Sequence, residues 1–121
     1  MRIAAVRVVR GSGEKRRGRA KRFEKILMYE RELNQMREKI RLRQYAMTIH
    51  ADEEMDEDGL TIYDVENAIL TGEVVEKQKD RETKEAKYLV RGGKVNGSEI
   101  LVAVTKFGMS GTLIIITVYV E

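Results

Sequence analysis

The stretch EILVAVTKFGMSGTLIIITVYV, residues 99–120, decides the fold. It contains two runs without charged residues, Ile100–Val104 and Leu113–Ile116, separated by the Gly108–Gly111 turn. A strand with one solvated face alternates apolar and polar residues, whereas these runs are apolar on both faces. Two such strands in succession predict the centre of an antiparallel sheet that is covered by helices.

The preceding segment predicts two further strands. Glu73–Lys79 alternates with period two, and a second strand is expected over Ala86–Arg91, continuing to Lys94–Val95. Gly92-Gly93 lies between these two parts and permits a bulge or a kink. Asn96-Gly97 is the strongest short hairpin signal and predicts the turn into the strand at residues 99–107.

The first half of the chain is predicted to be mainly helical. From Phe23 onwards, apolar residues follow 3-4 spacing between charges, which predicts one amphipathic helix with its stripe at Ile26, Tyr29, Leu33, Met36 and Ile40. We favour a helix lying on the sheet over the alternative, a homodimer seam through helix 23–43. Tyr45–His50 alternates and predicts a short strand with Tyr45, Met47 and Ile49 on one face.

Two short helices are expected next. One is acidic and covers Ala51–Glu57, and the other begins at Thr61, which forms a variant capping box with Asp64 and ends near Gly72. The order of elements predicts an α+β fold, with N-terminal helices packed on one twisted, mainly antiparallel sheet of about four to five strands. Residues 23–121 are expected to form one domain.

Composition excludes several classes of function. The chain has 121 residues, no Cys and one His, which excludes a disulfide scaffold, a thiol nucleophile and a cysteine-based metal site. It has no apolar run long enough to span a bilayer and no signal peptide. We therefore expect a cytoplasmic protein with no cofactor and no membrane association.

Charge is divided unevenly along the chain. Residues 1–48 hold 15 Lys/Arg against 5 Asp/Glu, and residues 49–121 hold 8 against 15. Residues 1–22 are predicted to be a basic, flexible arm. The arm has three interpretations: it binds RNA phosphates, it is a solvated tail, or translation begins later, at Met28 or Met36.

Several short blocks resemble a known family. These blocks are Thr48-Ile49-His50-Ala51, Met55, Gly59-Leu60, Asp64-Val65, Ala68-Ile69, Gly72-Glu73-Val74 and Ile115-Ile116-Thr117-Val118-Tyr119. They resemble an uncharacterised domain family of small prokaryotic proteins with an H-A-x-x-R-M … I-I-T-V-Y pattern. That family is grouped with RelE/ParE-like toxins and with mRNA interferases of the motility–quorum-sensing-regulator type. Glu54 and Asp58 stand where the family usually has Arg.

The resemblance implies a RelE/ParE-like fold and a small antitoxin protein encoded nearby. It also implies RNA as substrate, possibly mRNA on the ribosome. RNA cleavage without a metal needs a base for the 2′-OH proton, an acid for the 5′-oxygen and cations around the phosphorane. Histidine is the residue type that changes charge near neutral pH, so His50 is the natural base or acid.

The remaining predicted site residues are cations and hydrogen-bond donors. Arg91 and Lys106 are the candidate catalytic cations, and Tyr119 donates to phosphate or stacks on a base. The predicted RNA contacts are Tyr88, Thr117, Arg16, Arg17 and Arg19.

Each assignment has a structural alternative. His50 could cap its helix, and Arg91 could pair with a surface carboxylate. Lys106 could be a solvated strand end, and Thr117 and Tyr119 could be packing residues. The acidic run at residues 52–58 is interpreted as a solvated helix face in preference to a metal site.

Three functions therefore remain open. The first is a toxin-like endoribonuclease, the second a non-catalytic RNA- or ribosome-binding module, and the third a protein-interaction domain that docks through its first helix.

Overall fold

The computed structural model describes residues 28–121, which form three helices and five strands. In chain order the elements are α1 (Glu30–Arg41), β1 (Tyr45–Met47), α2 (Ile49–Glu57), α3 (Ile62–Thr71), β2 (Glu73–Lys79), β3 (Ala86–Gly93), β4 (Ile100–Phe107) and β5 (Leu113–Val120). The predicted arm and the predicted helix residues 23–27 lie outside this described part.

The five strands form one mixed sheet in the order β1-β5-β4-β3-β2. β1 runs parallel to β5, and every other neighbouring pair is antiparallel. The two doubly apolar strands, β4 and β5, lie side by side near the centre, as their sequences predict. The α+β prediction is confirmed, as is the expectation of a mainly antiparallel sheet of four to five strands.

All three helices contribute to a single hydrophobic core. Their buried contributions include Leu33, Met36 and Ile40 from α1, Ala51 and Met55 from α2, and Val65, Ala68 and Ile69 from α3. Within the described residues, Leu33, Met36 and Ile40 of the predicted α1 stripe are thus buried in the protein's own core, and Tyr29 is half-buried. Those three α1 side chains are not available to a second copy.

The predicted strand over Tyr45–His50 ends earlier than expected, at Met47. Thr48 is the N-cap of α2: its hydroxyl oxygen accepts a hydrogen bond from the Ala51 N–H at 3.1 Å. The cap begins the helix at Ile49, two residues before the predicted start. Ile49 is 80% exposed, so its predicted place on an apolar strand face was wrong.

Gly92 and Gly93 do not form the predicted bulge. Both pair in continuous register with β4, and β3 ends at Gly93 without reaching Val95. The register instead shifts in β2 between Val74 and Glu76, and in β5 opposite β4. Gly92 is needed for close approach, because a Cβ there would lie 2.3 Å from the Ala68 carbonyl oxygen of α3.

The capping box predicted at Thr61 is present and extends into a tertiary contact. The Asp64 carboxylate accepts from the Thr61 N–H at 2.9 Å and from the Val95 N–H at 3.1 Å. Burial of Asp64 opposes ionisation, but hydrogen bonds from the Thr61 and Val95 backbones outweigh it and lower the pKa. One side chain thus begins α3 and fixes the β3–β4 hairpin beneath it.

Arg37 of α1 holds the other end of α3. Its guanidinium donates to the Ile69 carbonyl at 3.1 Å and to the Gly72 carbonyl at 2.7 Å. These carbonyls lie in the last turn of α3, where backbone acceptors lack helical partners.

Within residues 28–121, no helix is both long and apolar enough to cross a membrane.

Candidate functional site

Helix α2 completes the outer edge of β5. β1 pairs only with Leu113–Ile115, so the rest of that edge needs other partners. The Thr48 hydroxyl donates to the Ile116 carbonyl at 2.8 Å, and Glu54 Oε1 accepts from the Val118 N–H at 3.0 Å. These two contacts hold α2 against the second half of β5.

His50 lies one helical turn before Glu54, and the two side chains are within ion-pairing distance of each other. His50 Nε2 is 3.2 Å from Glu54 Oε2, with the side chains 66% and 23% exposed. Glu54 therefore joins the imidazole to the buried Val118 backbone through its two carboxylate oxygens. The imidazole is accessible to a large substrate and has an anchored partner, as a general base requires.

Tyr119 follows Val118 on β5 and lies opposite Val102 of β4, which in turn lies opposite Arg91 of β3. Residues in register share a face, so Tyr119 and Arg91 lie on the sheet face opposite Val90, Ala103 and Val118 of the core. With one strand between them, their Cα atoms are about 10 Å apart. Tyr119 is 40% exposed, so part of this residue is open to solvent.

Arg91 is only 6% exposed, because carboxylates surround it. Its Nε donates to Glu121 Oε1 at 2.7 Å, a second guanidinium nitrogen also donates to that oxygen, and Glu73 lies opposite it in register. The positive charge of Arg91 is therefore compensated within the fold. Its observed environment agrees with the structural alternative given above, in which Arg91 pairs with a carboxylate.

Lys106 lies at the other end of the same sheet face. It is four residues along β4 from Val102, about 13 Å away at the usual rise per residue. Its Nζ is 3.2 Å from Glu85 Oε1. Tyr119 and Arg91 therefore lie in one row across the sheet, and Lys106 is separated from both.

The two predicted RNA-contact residues of the sheet have different surroundings. Thr117 is half-buried and lies opposite Val104, on the same sheet face as Tyr119. Tyr88 is 7% exposed and packs edge-to-face against Tyr29 and Phe107, with ring centroids 6.3 and 6.2 Å away. Tyr88 is a core residue and is not placed to stack on a base. Arg16, Arg17 and Arg19 lie outside the described residues.

Residues 47–120 match the profile of a protein family that is described as a domain of unknown function, DUF4258. The chain belongs to this family. The matched span of the DUF4258 domain contains His50, Glu54, Arg91, Lys106 and Tyr119. Comparison with curated proteins and with solved structures found no match.

Sequence reasoning missed Glu54 as a partner of His50. The signal was the i, i+4 spacing of the two residues, which brings side chains together on a helix. Because the predicted helix began only at Ala51, that spacing was not recognised.

Two surface cavities lie along α1, and neither is lined by a predicted site residue among those that the structure describes. One is lined by Glu30, Arg31, Asn34, Gln35 and Glu38, and the other by Gln35, Glu38, Lys39, Phe107 and Gly111. In the part of the chain that is described, no three His, Asp or Glu side chains are grouped to hold a metal ion.

Proposed function

We propose that this DUF4258 protein is a toxin-like, metal-independent endoribonuclease, an mRNA interferase, in which His50 moves the protons. The observation that supports this most directly is the exposed imidazole, which lies within ion-pairing distance of Glu54, while Glu54 accepts a hydrogen bond from the β5 backbone. A ring that is both accessible and anchored has the properties of a general base.

The proposed reaction is an internal transesterification of RNA. His50 takes the proton of a ribose 2′-OH, and the resulting oxygen attacks the adjacent phosphorus. The bond from phosphorus to the 5′-oxygen breaks, and that oxygen receives a proton from the imidazolium or from the Tyr119 hydroxyl. The products are a 2′,3′-cyclic phosphate and a 5′-OH end, and no metal is needed to balance the step.

The other residues have supporting roles in this proposal. Tyr119 and Thr117 contact the phosphate or a base from the sheet face opposite the core, while Arg91 stabilises that face through its bond to Glu121. Lys106 contacts RNA farther along the strand. Arg16, Arg17 and Arg19 of the arm neutralise further phosphates.

The biological setting follows from the resemblance to RelE/ParE-like toxins. We propose that the protein acts in the cytoplasm on ribosome-bound mRNA and that a small antitoxin encoded nearby neutralises it.

The test is cleavage of a long RNA by the purified full chain in the presence of a chelator. Replacing a general base lowers the rate by roughly 10²–10⁴-fold, and we expect this loss for His50→Ala. Glu57→Ala, an exposed position later on the same helix, serves as the matched control and should retain activity. Equal rates for wild type and His50→Ala would reject His50 as the base.

Growth provides an independent measurement. Expression of the wild-type chain alone should inhibit growth, and His50→Ala should relieve this inhibition without lowering protein abundance. If the wild type neither cleaves RNA nor inhibits growth, the nuclease proposal fails.

A second candidate function, non-catalytic RNA binding through the arm, is supported by the distribution of charge. Residues 28–121 hold 13 Lys/Arg and 18 Asp/Glu, whereas residues 1–27 hold 10 and 2. The carboxylates closest to His50 in sequence, Asp52, Glu53 and Glu54, repel phosphate. Electrostatic attraction to RNA would therefore come from the arm.

Salt dependence distinguishes the two functions. In the full chain, replacing Arg16, Arg17 and Arg19 by Gln removes three charges. Each lost phosphate contact reduces the slope of log affinity against log salt by about 0.7–0.9. A pure binder would show this reduction with no cleavage product and no effect of His50→Ala, whereas an unchanged slope would reject the arm as the RNA contact.

A further inference from the structure

The geometry points to Glu54 as a positioning residue that directs one nitrogen of His50, Nδ1, towards the substrate. This inference rests on the proposed function for its catalytic consequence, but the orientation itself can be measured separately. Glu54 contacts His50 through Oε2 and the Val118 N–H through Oε1.

The donor and acceptor inventory determines the tautomer. An ionised carboxylate only accepts hydrogen bonds, so the nitrogen facing Glu54 must carry a proton. In neutral His50 that nitrogen is Nε2, and the lone pair is therefore on Nδ1. The His50 side chain is 66% exposed. The nitrogen able to take a 2′-OH proton is thus Nδ1.

Burial explains why Glu54 stays in place while its partner is exposed. Val118 is fully buried, and a buried N–H that loses its acceptor costs about 1–3 kcal/mol. The contact with Val118 therefore dominates the placement of the carboxylate, and the second oxygen remains available to His50. The β5 backbone thereby determines the orientation of an exposed ring.

Glu54→Gln gives a sharp expectation because an amide has one acceptor and one donor group. The Val118 N–H needs the oxygen, so the amide NH₂ faces Nε2. Nε2 must then accept, and the neutral ring changes to the tautomer with its proton on Nδ1. This change removes the lone pair from the nitrogen that we assign as the base.

The measurement uses the full-length chain labelled with ¹⁵N. His50 is the only histidine, so long-range ¹H–¹⁵N correlations of the imidazole need no further assignment. In the spectrum of the neutral ring, the wild type should be mainly the Nε2–H tautomer and Glu54→Gln mainly the Nδ1–H tautomer. Glu53→Gln, the adjacent exposed carboxylate, is the matched control and should resemble the wild type.

Two results would overturn the inference: an Nδ1–H tautomer in the wild type, or the same tautomer in the wild type and a folded Glu54→Gln variant. If Glu54→Gln does not fold, the wild-type spectrum decides alone. In the cleavage assay, Glu54→Gln should lower kcat/KM relative to Glu53→Gln. If none of these proteins cleaves RNA, the proposed function is rejected, while the spectra still decide the orientation of His50.

Discussion

Gly92→Ala should disrupt the contact between α3 and the sheet, although it adds only one methyl group. The new Cβ would lie 2.3 Å from the Ala68 carbonyl oxygen, 2.7 Å from Ala68 Cα and 2.9 Å from the Ala68 carbonyl carbon. These are backbone atoms, so no side-chain rotation relieves the overlap. An ordinary carbon–oxygen contact would require α3 to move away from β3 by about 1 Å.

Three tertiary anchors oppose such a movement. The Asp64 carboxylate binds the Val95 N–H, the Asn67 amide donates to the Gly93 carbonyl, and the Arg37 guanidinium binds the last turn of α3. Displacing α3 lengthens these bonds, each with a net value of about 1 kcal/mol. It also opens the core around Val65 and Ile69, which are fully buried.

The cost can be estimated from these terms. Overpacking of a close-packed interior costs about 1–3 kcal/mol, and weakening two of the anchors adds about 2 kcal/mol. We therefore expect a loss of roughly 3–5 kcal/mol in the free energy of unfolding. For a domain of this size that corresponds to a decrease in Tm of about 12 °C or more.

Gly93→Ala is the matched control, because the nearest atom to a Cβ there is the Glu99 carbonyl oxygen at 4.0 Å. Urea and thermal unfolding of both variants should show a large loss for Gly92→Ala and a change within about 0.5 kcal/mol for Gly93→Ala. Equal stability of the two variants would refute the close approach of α3 and β3 at Gly92.

Three further predictions concern single side chains. Asp64→Asn should lower the free energy of unfolding by about 1.5–3 kcal/mol near neutral pH. Because folding lowers the pKa of this carboxyl, the difference in free energy between variant and wild type should shrink as the pH falls below about 4. Urea unfolding at several pH values measures this difference. Arg37→Met should destabilise the fold by about 1–3 kcal/mol by leaving the Gly72 carbonyl without its donor, and equal urea midpoints would contradict this. Burial and then the bond to Glu66 raise the pKa of Tyr45 to about 12. The contribution of the protonated phenol to the free energy of unfolding should therefore be present below pH 10 and be lost as the pH rises towards 12. Tyr45→Phe should remove this alkaline loss of stability.

Local sequence patterns predicted the secondary structure well wherever the controlling interaction was itself local. The capping box at Thr61, the hairpin at Asn96-Gly97 and the apolar stripe of α1 each depend on residues within one or two turns of each other. Errors occurred where a distant partner decided the outcome. Thr48 ends β1 and begins α2 in part because its hydroxyl also binds the Ile116 carbonyl, 68 residues away.

The candidate site divides in the same way. His50 was identified from residue chemistry, and its exposure on α2 agrees with that role. Arg91 and Tyr88 were selected as a cation and an aromatic ring, but the sequence contained no measure of their burial. Arg91 lies opposite Glu73 in register and is bonded to Glu121. Tyr88 packs between two aromatic neighbours.

By itself, the sequence determined the α+β class and the central pair of apolar strands, and it led to the proposal of a lone histidine as the base. Those conclusions depend on residue type and on short-range periodicity, which the chain carries in any conformation. Only the tertiary structure decided that Glu54 connects His50 to β5 and that Arg91 lies among carboxylates. It also decided that the missing side chain of Gly92 lets α3 approach the sheet closely. Each of these depends on atoms brought together by strand register and helix packing across many residues, and no local pattern encodes such distances.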